Sequence, residues 1–467
     1  MGELVRRNLR FFLIFSAAAL LLRLIFIFRF PSVVSDSFIY GDIAKNWLQH
    51  GIFGLSGPEA ISPTYIRLPG YPAFLAGIFA IFGMEHYRAV LFVQMFVDLG
   101  TCLLCADLAL RLMGSRPAKI AFALACLCPF LANYAGAALT ETLEIFFTAL
   151  AFDLAIRALQ AERDRPLRYW AGCGLACAGA ILLRPDGAML LIVIEIYLLA
   201  LLLKPRFQNR PATPAAGRAI VHDFQAAILI GVIAIAPLVP WTIRNWRVFH
   251  QFQPLAPRYA NEENEFGPMG FNRWVKTWMA DYVSVEEIYW QEPGSPIDPN
   301  QLPSRAFDSP QQKTETIALI DDYNKVLHVT PELDQRFETL AEARIRAHPV
   351  RYYIELPVLR ILDMWLRPRT EMLPSDTRWW EFNDELKWSV LAIALGVIGL
   401  FYVICGLVGW VSSRPIALTG LLLLFVVLRS AFLGTLENPE PRYTLEMYPV
   451  MIVVAAYALA SSRRDLA

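Results

Sequence analysis

The chain has 467 residues, of which 56% are apolar and only 18% charged, and its mean hydropathy is +0.41. This excludes an ordinary soluble domain and asks for lipid as part of the solvent. Its 42 basic and 42 acidic residues cancel, so no overall field draws it to nucleic acid, and the informative quantity is where each sign falls along the chain.

Arg6, Arg7 and Arg10 precede an apolar run that reaches about Phe30. The run exceeds the roughly 7 to 15 apolar residues of a cleavable signal sequence and no small-x-small site follows it, so it is expected to remain as a first span. Further apolar runs of roughly 20 residues predict spans near 89–112, 118–134, 140–158, 170–184, 187–204, 224–246, 387–411, 415–433 and 445–460. The shorter run from Pro69 to Gly83 is expected to lie along the interface. The fold class that results is an all-α polytopic membrane protein of about ten transmembrane helices, with interfacial helices and a mixed outer-face segment.

Loop charge sets the orientation. With Met1 in the cytoplasm and 69–83 not crossing, the inner loops receive Arg116 and Lys119, then Arg163, Arg165 and Arg168, then Lys204, Arg206, Arg210 and Arg218, then Arg414, and last Arg463 and Arg464. All are short and basic, as positive-inside requires. The expectation is a multi-pass protein of the cell (inner) membrane with both termini cytoplasmic. Its parts are a transmembrane module at 1–248 with a first outer loop at 31–88, an outer segment at 249–385, and C-terminal helices at 386–467. Within the outer segment Glu338 to Ala347 reads as a helix, Arg351 to Leu366 as another along the membrane, and no water-soluble domain large enough to act alone is expected. Trp274, Trp278, Trp290, Trp379 and Trp380 are expected mostly as interface anchors, with one or two available to stack on a sugar ring.

Polar residues gather at the ends of the runs. Asp36 follows the first span, with Tyr40 one helical turn on and Asp42 beyond it; a carboxylate here is either a helix N-cap or a reactive group. Tyr65-Ile66-Arg67-Leu68-Pro69 leads into the interfacial helix. The arginine's planar fork suits a phosphate at headgroup level, and suits an ordinary lipid partner equally. Thr140-Glu141 opens a span, Arg184-Pro185-Asp186-Gly187 joins two, and Glu437 to Tyr443 precedes the last; Arg184 beside Asp186 could simply close a hairpin. Asp36, Arg67, Glu141, Arg184 and Arg442 nevertheless all map to the outer face under a topology chosen from loop charge alone, and that agreement makes them the candidate site. By contrast Asp98, Asp107, Asp153 and Glu195 lie inside spans and show no pairing signal. The six histidines lack metal-ligand spacing and the seven cysteines all sit in apolar segments, so neither a zinc site nor a disulfide framework is expected.

Taken together these residues resemble the GT-C superfamily of integral membrane glycosyltransferases, in the branch of bacterial protein O-mannosyltransferases and the lipid A aminoarabinose transferase. The resemblance runs in order through Asp36 with Tyr40 and Ala44, Arg67 to Pro72, Thr140-Glu141, Arg184 to Gly187, Pro240 to Asn245, and Arg442-Tyr443 with Pro449. It implies transfer of a sugar from a polyprenyl-phosphate donor to a lipid, glycan or protein acceptor, with inversion, on the outer face. It implies Asp36 as catalytic base, Arg67, Arg442 and Arg184 as phosphate ligands, and Tyr40, Asp42, Tyr65, Glu141 and Tyr443 as substrate contacts. Relatives often carry Asp-Glu where this chain has Asp36-Ser37, so a second carboxylate would come from Asp42 or Glu141. No metal ligands are assigned and no cofactor is expected, with a divalent metal left open. The rival from another class is a transporter or flippase of lipid-linked sugars, which would need broken helices or internal repeats with charged groups at the bilayer midplane.

Overall fold

The computed structural model describes residues 1–161, 166–207, 214–262, 265–383, 385–413, 416 and 418–461. The basic loop residues Arg163, Arg165, Arg210, Arg414, Arg463 and Arg464 lie outside them. In chain order the structure comprises α1 (Leu9–Arg29), α2 (Ser35–His50), a hairpin of β1 (Gly54–Ser56) and β2 (Ile61–Pro63), α3 (Gly70–Phe82), α4 (Tyr87–Met113), α5 (Ser115–Leu127), α6 (Pro129–Ala135) and α7 (Glu141–Gln160). There follow α8 (Pro166–Leu183), α9 (Ala188–Phe207), α10 (Pro214–Ile235), α11 (Leu238–Phe249), α12 (Met269–Lys276), α13 (Tyr282–Glu287), α14 (Pro310–Val326), α15 (Pro331–Ala347), α16 (Leu356–Leu366), α17 (Leu386–Ser413), α18 (Thr419–Gly434) and α19 (Tyr448–Ser461). Two compact units emerge, one of Met1–Glu262 with Ile404–Val426 and Leu445–Ala467, the other of Glu263–Val403 with Val427–Thr444.

About ten spans were expected. Among the described residues six helices are long and apolar enough to cross a bilayer, or seven if the pair α5 and α6, bent by 51°, counts as one. The difference has local causes. α7 is long enough but carries Glu141, Glu144, Asp153 and Arg157, and α18 has only 16 residues. α3, at 13 residues, reaches about 20 Å and cannot cross a core of about 30 Å; it packs on α2 while Ile81 and Phe82 at its far end stay exposed.

In the first unit α7 packs along α8, α4 along α5, and α19 against α5. One buried ion pair pins this bundle. Arg23 in α1 donates from Nε to Asp98 in α4 at 2.7 Å, with side-chain exposures of 0% and 3%. The same guanidinium donates to Ala125 O at 3.1 Å and to Cys126 O. Those carbonyls end α5, and Pro129 at the start of α6 has no N–H to offer Ala125, so the arginine satisfies what the break exposes.

Three of the four intramembrane acids that show no pairing signal in the sequence, Asp98, Asp107 and Asp153, are paired in the structure. Asp107 lies 2.8 Å from Arg111 and Asp153 lies 2.6 Å from Arg157, each one turn apart on its own helix, and Arg157 crosses to Asp107 at 2.6 Å. The repeated Asp-x-x-x-Arg spacing spells this lattice in the sequence. The Met1 amino group is 3.7 Å from Asp107.

The second unit has its own core, in which Phe271, Trp274, Trp278, Tyr323 and Phe337 are buried. Trp274 and Trp278 are therefore packing residues and not interface anchors, a correction that the helical spacing of Phe271, Trp274, Val275 and Trp278 explains. α15 begins at Pro331, earlier than expected, because the Thr330 hydroxyl accepts the Leu333 N–H at 3.3 Å and proline fits the first turn. The segment from Arg351 to Leu366 is one π turn, Arg351–Glu355, followed by α16, with Pro357 at the junction. Buried arginines fasten the loops: Arg344 donates to Ala306 O at 2.7 Å and Arg305 O at 2.9 Å, and Arg360 to Met279 O at 2.9 Å and Gly434 O at 3.0 Å.

Removing one partner of the buried pair leaves the other charge stranded. Arg23→Ala is expected to lower stability by about 3–5 kcal/mol, read as a fall in the thermal unfolding temperature of the detergent-solubilised protein, whereas Arg23→Met combined with Asp98→Leu recovers most of it. A single variant as stable as the parent would contradict the pinning role.

Candidate active site

The site is built at the end of the first bundle where α2, α3, α7 and the α8–α9 turn begin or end. α2 starts at Ser35 with Val34 as its N-cap, and the Val34 N–H donates to the Ser37 hydroxyl at 3.1 Å. Asp36 therefore sits inside the first turn without capping it, and its carboxylate turns to Arg67, whose Nη2 lies 3.0 Å from Oδ1. The two side chains are 35% and 20% exposed, so the pair is open to a ligand. Tyr40, one turn beyond Asp36, lies under the Arg67 guanidinium at 5.6 Å and packs edge-on against Tyr71 with centroids 5.0 Å apart. Burial above all, against the pull of Arg67, pushes its phenol up to about 12, so it stays protonated.

A close approach of backbones brings the second arginine to the same rim. A Cβ on Gly70 would sit 2.5 Å from Leu182 O, and one on Gly187 would sit 2.4 Å from Ala180 O. Only glycine lets the start of α3 rest on the last turn of α8 and the Arg184-Pro185-Asp186-Gly187 turn fold back on it. Arg184 then lies 3.3 Å from Asp186, 3.8 Å from Glu141 and 3.8 Å from Glu144. The charges of Arg67, Asp36, Arg184 and Glu144 all act on the Tyr40 phenol.

The sequence reading missed Glu144 and Glu446, two buried carboxyls that act electrostatically on each other. The spacing of Glu141 and Glu144 at the head of α7 was a usable signal for the first; Glu446 had none. Asp42 is committed elsewhere, accepting from the Ser56 N–H at 2.6 Å and hydroxyl at 2.8 Å with Lys45 at 3.1 Å, and so holds the hairpin onto α2. Tyr65 packs against Phe249 with centroids 4.7 Å apart, in a cluster with Ile43, Phe53 and Trp241. Arg442 and Tyr443 belong to the second unit. There Arg442 Nε lies 2.6 Å from Glu440 and its guanidinium 5.5 Å from the Tyr443 ring. Burial pushes the nearby Glu371 carboxyl up, against Arg369, Arg367 and Arg442. Among the described residues no group of three or more His, Cys, Asp or Glu could hold a metal ion.

Arg244, from the Pro240 to Asn245 motif, supports the loop that carries Arg67. Its Nη1 donates to Thr64 O at 2.7 Å and its Nη2 to Phe53 O at 2.6 Å, and it lies 5.2–5.4 Å from the rings of Phe53, Trp241 and Phe249. Both ends of the hairpin are thereby tied to α11.

The chain is an apolar helical bundle with an acid–arginine pair between its first apolar helix and α3, and its fold is similar to that of solved oligosaccharyltransferases. More particularly, residues 63–241 match the family model described as dolichyl-phosphate-mannose-protein mannosyltransferase. The archaeal oligosaccharyltransferase AglB from Archaeoglobus fulgidus, solved with an inhibitory peptide and a dolichol-phosphate, has a similar fold. It is 14% identical, with a TM-score of 0.52 over 97% of this chain and 51% of that one. The apo form of the Archaeoglobus fulgidus oligosaccharyltransferase gives 13% identity and a TM-score of 0.51 over 97% and 51%. ArnT from Cupriavidus metallidurans in the apo state gives 13% and 0.40 over 97% and 78%. The chain thus spans about half the length of the archaeal enzymes it matches. No curated protein gives a significant match.

Burial works against the charged form of Asp42, but the Ser56 N–H, the Ser56 hydroxyl and Lys45 outweigh it and hold the carboxyl below its usual range. A lowered folded value means that the stabilisation is present above the ordinary aspartate value of about 4 and is lost as pH falls through the folded one. Protection of the amides at residues 54–63, measured relative to their intrinsic exchange rates, is expected to be high at pH 6 and to fall on acidification, and Asp42→Asn removes that fall; an unchanged profile in the variant would exclude this anchor.

Proposed function

We propose that the protein moves a sugar from a polyprenyl-phosphate carrier to an acceptor hydroxyl on a lipid, glycan or protein, at the outer face of the cell (inner) membrane. The observation that carries this reading is the partly exposed pair of Asp36 and Arg67 at 3.0 Å, set at the mouth of an apolar bundle with Arg184 on the same rim. The donor phosphate develops negative charge as the anomeric C–O bond breaks, and Arg67 with Arg184 stabilises the departing polyprenyl phosphate. The acceptor oxygen forms the new bond to the anomeric carbon and gives its proton to Asp36. Arg67, shared between phosphate and carboxylate, keeps the base beside the reacting centre. One displacement inverts the anomeric configuration. The dolichol-phosphate held in the AglB structure supports a lipid phosphate as the donor's leaving group.

The bent α5–α6 pair and the intramembrane Arg23 and Asp98 are the features a transporter of lipid-linked sugars would need. Both are spent on each other, because Arg23 is fully buried with its donors on Asp98 and the carbonyls of the break.

In lipid nanodiscs with a polyprenyl-phosphate-linked sugar, Asp36→Asn is expected to lower kcat by at least about 100-fold while leaving the unfolding temperature unchanged. Arg67→Ala is expected to cost about 100-fold in kcat/KM, with Arg67→Lys intermediate, and NMR of the product to show the inverted anomer. Full activity of Asp36→Asn would reject the assigned base.

A further inference from the structure

The second unit contains a cavity of about 860 Å³ that the candidate active site does not use, at the upper end of the size of small-molecule pockets. Its polar wall includes Asp281, Asn300, Gln301 and Arg305, and its far side Trp379 and Trp380. Leu359, Leu362 and Leu366 of α16 supply an apolar floor, each close to half exposed.

The charges of this cavity are already matched. Arg305 faces Asp281 and donates to Trp278 O at 2.9 Å and to the Ser284 hydroxyl at 3.2 Å. Arg378 is held in a two-pronged pair with Glu287 at 2.6 and 2.7 Å. Arg367 donates to Thr377 O and lies over the rings of Tyr282 and Trp380, at 5.6 and 5.7 Å, in the field of Asp363 and Glu371. An anion would have to break these pairs to bind. What the cavity still offers is planar polar edges from amides, carboxylate and guanidinium, which suit neighbouring hydroxyls. It also offers two indoles at right angles with centroids 5.6 Å apart, of which Trp380 is 43% exposed. An indole face takes the C–H face of a sugar ring without needing charge.

We propose that this cavity is a binding site for an uncharged saccharide, with the leucines of α16 receiving an attached lipid chain where there is one. Its assignment as the acceptor's site rests on the transferase reading above; saccharide binding does not.

Isothermal titration of the full-length protein in nanodiscs tests it, with octyl maltoside below its micelle concentration, maltotriose and octyl phosphate as probes. Saturable binding of octyl maltoside is expected, weakened about tenfold or more by Trp380→Ala and by Gln301→Ala, retained in Trp380→Phe, and unchanged in Asp36→Asn. Maltotriose binding as tightly would assign a free glycan as the source of the saccharide, and much weaker binding a lipid-borne one. Octyl phosphate binding as tightly as octyl maltoside, with the same loss in the variants, would overturn the proposal in favour of an anion site. It would also fall if neither sugar probe bound, or if Trp380→Ala bound normally. Loss of transfer in Asp36→Asn with binding intact separates a failure here from a failure of the catalytic assignment.

Discussion

A charge in hydrocarbon costs several kcal/mol unless a counter-charge or a carbonyl meets it, and that constraint arranges the first unit. Arg23 meets Asp98 and the open end of α5 in the bundle interior. Asp107, Arg111, Asp153 and Arg157 close on one another toward the C-terminal ends of α4 and α7. Asp36, Arg67, Arg184 and the carboxylates of α7 gather at the N-terminal ends of the same two helices. Tyr87 and Asp107 of α4 are separated by about 30 Å of helix. The Arg23–Asp98 pair is sealed, whereas Asp36, Arg67 and Arg184 keep roughly a fifth to a third of their side-chain surface exposed, as Arg111 and Arg157 do.

The second unit solves a different problem with the same residue type. Its helices are short and its loops many, so carbonyls are left over wherever a helix stops. Arg344 and Arg360 are fully buried and spread their five donors over those oxygens. A lysine could not span such sets, because its three donors radiate from one point.

Asp36, Arg67 and Arg184 were legible because each stands at the end of an apolar run, where loop charge fixes its side. Glu144 and Glu446 were not, since their meeting depends on how helix heads pack. Arg23 was hidden for the opposite reason: one arginine in an apolar run leaves no pattern until Asp98 and the Cys128-Pro129 break are seen beside it. Asp42 and Tyr65 stand close to Asp36 and Arg67 in sequence, and in the fold Asp42 contacts Ser56 and Lys45 while Tyr65 packs against Phe249 from a distant part of the chain. Helix boundaries were readable to a few residues, while the expected count of ten spans is not reached among the described residues, where α7 carries acids and an arginine that are paired in the fold.

The clasp of Arg244 on Phe53 O and Thr64 O ties a surface loop to a helix that belongs to an apolar span, Val221–Phe249. Helices answer a change in hydrocarbon thickness by tilting. A tilt of this one would lever the hairpin and, three residues on from Thr64, Arg67, the arginine that faces Asp36, so that acyl-chain length has a mechanical route to that pair.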